Sequence, residues 1–257
     1  MIYSKVKRLI KPEWRNYYYW LYSSKNKLRK EKGHFIVHDK EVEYGDWGAF
    51  LGAYADIFCS EIYDFISETD EPIILDVGAN IGLATIWWKL RFPKARIVAI
   101  EADPVIFSLL EANVKRFNLD NVELINAAAW ITDGVLNFSP DGSDGGRVST
   151  HGIEIRSISL ATIIDRFTKV DFLKMDIEGG ERMVLPSIGT SLKHVQTLFC
   201  EYHSSVGEPQ LLEEVLGSIS RAGFRYHVKN LLASDKPFIE ISESCGFDNQ
   251  LNLFCTR

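Results

Sequence analysis

The chain has 257 residues, 46% of them hydrophobic and 25% charged, a balance that excludes a disordered polymer and fits one α/β domain with decoration. No apolar run reaches the length of a membrane span, and the net charge of −6 speaks against a protein held by nucleic-acid phosphates. Cys59, Cys200, Cys245 and Cys255 form no Cys-x-x-Cys pair, so reduced thiols are expected and a zinc site is not.

Residues 1–32 hold ten Lys/Arg and two Asp/Glu, a segment charge of +8 that leaves −14 on the remainder. Trp14, Tyr17, Tyr18, Tyr19, Trp20, Leu21 and Tyr22 are interleaved with those cations. Docking on the chain's own acidic domain is the leading expectation, and peripheral contact with an anionic membrane is the alternative. The N-terminus lacks the apolar run of a secretion signal, so a cytoplasmic protein is expected.

Phe35 to Val37 suggests a strand, and Ile57 to Ile66 has helical spacing. Between them Tyr44 to Tyr54, rich in glycine and aromatics, is expected to be a loop that either lines a substrate pocket or caps the core. Residues 1–69 are thus read as an extension and possible substrate cap, and residues 70–257 as the main domain.

Ile73, Ile74, Leu75 and Val77 form a β-branched run suited to a buried parallel strand, ended by Gly78. From Gly82 the apolar positions Leu83, Ile86, Trp87 and Leu90 follow helical spacing until Pro93. Gly78, Ala79, Asn80 and Gly82 therefore occupy a strand-to-helix turn, where backbone approaches a ligand closely and the N–H groups of the helix start favour negative charge. Arg96 to Ile100 is the next strand, ending in Glu101 and Ala102. An acid about 20 positions past the glycine turn is placed to accept hydrogen bonds from ribose hydroxyls.

Asp103 and Pro104 open a helix with Ile106, Leu109, Leu110, Val114 and Phe117 on one face. Val122 to Ala127 reads as a third strand, and Asn126, Ala127 and Ala128 offer small surfaces against which an adenine could lie flat. Val135 to Phe138 is a short strand, Ser139 to Gly146 an irregular segment, and Ile153 to Ile158 a half-buried strand, with Ser159 capping a helix to Phe167. Val170 to Met175 and Gln196 to His203 are further strands that end in acids, glycines and a histidine. A helix over Pro209 to Ala222, closing strands at Phe224 to Val228 and Leu251 to Cys255, and an extra ribbon at Phe238 to Ile241 complete the reading.

Alternating strands and helices predict a mostly parallel sheet whose ligand lies beyond the carboxyl ends of the strands. Gly78, Glu101, Ala128, Asp176 and His203 fall there, with Lys174 alternating with Asp176 and Glu201 with His203.

Asp76-x-Gly78-x-x-x-Gly82 with Glu101 resembles the first two motifs of class I S-adenosylmethionine (SAM) methyltransferases. In those enzymes the aspartate and turn hold the methionine end of SAM and the glutamate holds the ribose. A nicotinamide-dependent oxidoreductase would share the sheet and Glu101, but Asn80 stands where its fingerprint needs glycine. With Lys174-Met-Asp-Ile-Glu-Gly-Gly-Glu181 and Glu201-Tyr-His203 added, residues 70–230 resemble the FkbM family of SAM-dependent methyltransferases. That resemblance implies a Rossmann-like fold with a seven-stranded sheet, SAM as cofactor, and O-methylation of a sugar, glycan or polyketide-like hydroxyl. A SAM-binding scaffold without turnover is a further alternative.

Methyl transfer to a hydroxyl needs a group to take its proton, and His203 is the side chain whose ordinary pKa suits that task. Its rival is Asp176, which could instead hold the methionine ammonium or a divalent ion; a metal is the less favoured reading. His203 tied to Glu201 as a purely structural residue is the remaining reading.

Overall fold

The structure, a computed structural model, describes residues 12–23, 31–240 and 242–257. The rest of the basic N-terminal segment lies outside the described residues. Helix α1 (Pro12–Ser23) precedes a hairpin of β1 (Gly33–Val37) and β2 (Lys40–Tyr44), and α2 (Trp47–Tyr54) follows. Trp14 is buried, and the Trp20 ring lies 3.9 Å from that of Phe35 and 5.2 Å from that of Tyr54. This part of the segment docks on its own chain.

Two expectations for the extension are corrected. The stretch expected as a loop is helical from Trp47 onward, because Asp46 caps it by accepting from Ala49 N and Trp47, Phe50, Leu51 and Tyr54 recur on one buried face. Conversely, the helical spacing over 57–66 yields only a π-helical turn, Ala55–Cys59, after which Glu61 takes a φ of 53°. Tyr63 and Phe65, two residues apart, both meet the Phe172 ring, at 6.4 and 5.0 Å. A helix would send them to different faces.

The main domain opens with β3 (Ile73–Val77), α3 (Leu83–Arg91), β4 (Arg96–Glu101), α4 (Pro104–Arg116) and β5 (Val122–Asn126). The third strand therefore stops at Asn126, and the chain turns into a second sheet, two of whose strands, over Val135 to Phe138 and Ile153 to Ile158, are those the sequence announced. Its strands are β6 (Ala128–Trp130), β7 (Gly134–Ser139), β8 (Arg147–Val148) and β9 (Ile153–Ser159), arranged β6-β9-β7-β8. Ser159 then caps α5 (Leu160–Ile164), which ends before the expected Phe167.

β10 (Val170–Met175), α6 (Glu181–Ser187), β11 (Val195–Ser205), α7 (Leu212–Arg221), β12 (Arg225–Asn230) and β13 (Phe247–Thr256) complete the chain. No ribbon forms at 238–240, where Phe238 and Ile239 are exposed. The backbone turns there instead, with Ile239 N and Glu240 N both donating to Lys236 O.

The seven-stranded sheet runs β12-β13-β11-β10-β3-β4-β5. β11, β10, β3, β4 and β5 pair in parallel, and β13 runs antiparallel to both neighbours. Alternation along β3 sends Leu75 and Val77 into one hydrophobic cluster with Val184 and Leu198, and Ile74 into another with Trp88 and Phe199. Phe50, Tyr54 and Tyr63 join the second cluster, so the extension shares a core with that face of the sheet.

Candidate active site

β3 ends beside a turn built for close backbone approach. Gly78 has φ 79°, and its N–H and that of Ala79 both donate to Ile100 O at 3.0 Å, tying the turn to β4. A Cβ built on Gly78 would stand 1.7 Å from the Asp176 carbonyl oxygen. Gly78→Ala is therefore expected to lower the melting temperature sharply, since a left-handed side chain costs roughly 1–3 kcal/mol before any clash. Thermal melting would show it, and a wild-type melt would refute this account of the turn.

Asn80 is also left-handed, at φ 49°, and its N–H donates to Glu101 Oε2 at 2.8 Å. Asp103 N donates to Glu101 Oε1 at 2.8 Å, so the carboxylate is held at both oxygens. Burial pushes the Glu101 pKa up to about 7, with the two backbone N–H groups pulling it back. Gly82 has φ 88° and starts α3, while Asn126 Nδ2 donates to the backbone oxygens of Glu101 and Ala102.

These elements border a cavity of about 460 Å³, within the roughly 300–1,000 Å³ of small-molecule sites. One part is lined by Gly78, Ala79, Asn80, Glu101 and Ala102, together with Ala127, Ala128, Ala129, Trp130 and Phe138. Tyr44, Asp46, Ala49, Phe50, Ala53 and Tyr63 of the extension also line it, so the Tyr44 to Tyr54 stretch both lines the cavity and packs in the core. Lys174, Asp176, Glu178, Glu201 and Gln250 bring in the carboxyl ends of β10 and β11 and the facing β13.

Asp76, Gly82, Asn126 and His203 do not line the cavity. Asp76 is fully buried beneath the turn, accepting from Thr85 Oγ1 at 2.7 Å, with Oδ1 3.7 Å from Lys174 Nζ. Burial raises its pKa, against Lys174 and Thr85. Lys174 donates to Gly78 O at 2.7 Å and lies 3.4 Å from Asp176 Oδ2. Burial works against its charge, but Asp176, Asp76 and Glu201 outweigh it and raise its pKa. The lysine is thus a strut between the glycine turn and the strand-end acids.

The turn after β10 explains the Lys-x-Asp-x-Glu-Gly-Gly-Glu run. Glu178 and Gly179 take φ of 54° and 96°, and the carboxylate of fully buried Glu181 accepts from Ile177 N at 2.6 Å and Gly179 N at 2.9 Å. This clamp holds Glu178 toward the cavity. Glu178, Glu181 and Gln250 are the site residues that strand-end reasoning missed. The first two are named by the motif's spacing, whereas Gln250 meets Glu201 only through antiparallel pairing distant in sequence.

His203 is 1% exposed and lies behind the wall. Its Nδ1 is 3.5 Å from Glu181 Oε1, and its Nε2 is 3.6 Å from Glu201 Oε1 and 3.7 Å from Glu178 Oε2. Burial disfavours the imidazolium, but Glu181, Glu201 and Glu178 outweigh it and raise its pKa well above the ordinary range. Burial and the neighbouring acids also raise the pKa values of Asp176 and Glu178, with Lys174 opposing at the former and His203 at both.

A sheet of this order, with one antiparallel strand and a glycine turn and acid at neighbouring strand ends, has the Rossmann-like architecture of methyltransferases. A crystal structure of methyltransferase FkbM from Methylobacillus flagellatus KT superposes with a TM-score of 0.51 at 17% identity, covering 80% of this chain and 53% of that one. The Methyltransferase FkbM domain matches residues 76–226, and the chain belongs to that family. The 31-O-demethyl-FK506 methyltransferase FkbM of Streptomyces tacrolimicus is 25% identical over 237 residues, covering 77% of this chain and 88% of that protein. The hexuronic acid methyltransferase AglP of Haloferax volcanii is 29% identical over 143 residues, covering 53% of this chain and 58% of that protein. The match to the first curated relative spans 64% of that protein's length. Among the described residues no helix is long and apolar enough to cross a membrane.

Proposed function

We propose that this chain transfers a methyl group from SAM to a hydroxyl of a sugar, glycan or polyketide-like acceptor. One observation carries the reading: a single cavity joins the Gly78–Glu101 turn to the acids at the ends of β10 and β11. The names of the FkbM and AglP relatives, which specify the O-31 position of 31-O-demethyl-FK506 and a hexuronic acid, support the acceptor class.

The residues present fit the cofactor. Glu101, fixed by two backbone N–H groups, faces the cavity with lone pairs left for ribose hydroxyls. Ala127, Ala128 and Ala129 line the cavity together with Ala102, Trp130 and Phe138, and adenine would lie against this small and aromatic surface. Asp176 would lie beside the methionine end of SAM, with Asp76 and Lys174 bracing the turn from below. SAM supplies the electrophilic methyl group.

The remaining wall, from Tyr44 to Ala53 with Tyr63, would receive the acceptor, so the extension would select it. A proton leaving the acceptor meets a carboxylate first. His203 is behind the wall, so Glu201, which lines the cavity, is the proposed proton acceptor and His203 a positioning residue.

S-Adenosylhomocysteine is expected to raise the melting temperature and NAD to leave it unchanged, since a ligand at 100 times its Kd adds about 2.7 kcal/mol. Tight NAD binding in calorimetry, with none for S-adenosylhomocysteine, would overturn the methyltransferase reading in favour of an oxidoreductase.

A further inference from the structure

We propose that Asp176, Glu178 and His203 form a divalent-cation site at the acceptor end of the cavity. Each offers one ligand atom, and these atoms lie within 4.8 Å of one another. Ligands on one ion at about 2.0–2.5 Å each are at most roughly 4–5 Å apart, so small side-chain adjustments close the set.

The histidine is prepared for coordination. Its Nδ1 faces Glu181, whose carboxylate is fully buried and anchored by Ile177 N and Gly179 N. A metal-bound histidine ordinarily has its second ring nitrogen directed at such a carboxylate, which fixes the tautomer and leaves the other nitrogen's lone pair free.

Gln250 gives an independent indication about Nε2. Its Nε2 donates to Glu201 Oε1 and also lies 3.3 Å from His203 Nε2. An amide nitrogen only donates, so this contact needs a lone pair on the imidazole. The carboxylates of Glu178 and Glu201, at 3.7 and 3.6 Å, favour positive charge at the same point. A cation bound through that lone pair displaces the Gln250 N–H, which keeps Glu201 as its acceptor, and supplies the positive charge that the two carboxylates favour.

Charge balance points the same way. Lys174 is the single Lys or Arg among the cavity-lining described residues, and it is shared between Gly78 O, Asp76 and Asp176. One nitrogen and two carboxylates favour a first-row ion such as Mn²⁺ over Ca²⁺. Asp176 and Glu178 line the cavity, so the ion's open positions face it and would take neighbouring oxygens of a polyol acceptor. That use rests on the proposed methyl transfer; the site itself does not.

The test is a Mn²⁺ titration of EDTA-stripped, desalted protein, followed by the electron paramagnetic resonance of free Mn²⁺. The expected result is one saturable site per chain, weakened at least tenfold in Glu178→Gln and in His203→Gln. Circular dichroism melts report whether each variant is folded, and Asp176→Asn replaces any that is not. No saturable binding by the wild type, or wild-type affinity in folded Glu178→Gln, would overturn the site. S-Adenosylhomocysteine calorimetry on the same samples separates the two readings. Cofactor binding without Mn²⁺ binding removes only the cation site, and Mn²⁺ binding without cofactor binding removes only the methyltransferase reading.

Discussion

Glu101→Ala is expected to weaken S-adenosylhomocysteine binding by at least a hundredfold in a folded protein. Two hydrogen bonds from ribose hydroxyls to an ionised carboxylate are worth about 1.5–3 kcal/mol each, and every 1.4 kcal/mol is a factor of ten. The substitution also releases the N–H groups of Asn80 and Asp103, so the turn loses its anchor together with the ribose. A pH dependence follows from the pKa of about 7. Below that value the free protein holds Glu101 protonated, and a ligand that prefers the carboxylate must displace the proton. Affinity should therefore rise from pH 6 to pH 8, by as much as about tenfold per unit on the acid side, and flatten above. Calorimetry across that range checks both points. Unchanged affinity in Glu101→Ala would reduce the residue to a structural tie between β4 and the glycine turn.

The strands that carry the site were legible because a buried parallel strand needs a mostly apolar run whichever neighbours it meets. Ile73 to Val77 and Val170 to Met175 read correctly, and the residues ending them were placed at one edge. Of the second sheet, β7 and β9 were legible as strands but their sheet was not: β6 is three residues long and β8 two, too short for a period, and β6 pairs in parallel with β9, distant in sequence. Glycines misled at Tyr44 to Tyr54, where Asp46 and the buried aromatic face outweigh their low helix propensity. Within the site, alternation paired Glu201 with His203, as the strand requires. It could not show that Glu181 and Phe247, contributed by the neighbouring helix start and strand, pack against the imidazole, or that His203 does not line the cavity. Depth behind a wall is a tertiary property.

That depth sets the expectation for the chemical step. Glu201→Gln should lower the rate of methyl transfer by about 10² to 10⁴ with S-adenosylhomocysteine affinity nearly intact. The amide keeps the shape of the side chain at the cavity edge but cannot take a proton from a hydroxyl. His203→Gln separates positioning from proton transfer. If His203 only fixes Glu201, its loss should lower kcat by less than Glu201→Gln does. If His203 is itself the base, reached through the acids 3.6 and 3.7 Å from Nε2, its loss should be the larger, and Glu201→Gln should retain most of the activity. Asp176→Asn separates two roles: an ammonium ligand lost there should raise the KM for SAM more than it lowers kcat, and a cation ligand lost there should weaken Mn²⁺ binding with the KM for SAM unchanged. Single-turnover kinetics on the three variants, with a panel of sugar and polyketide hydroxyl acceptors, places the proton. Native rates in Glu201→Gln would remove it from the mechanism and return the task to Asp176 or His203.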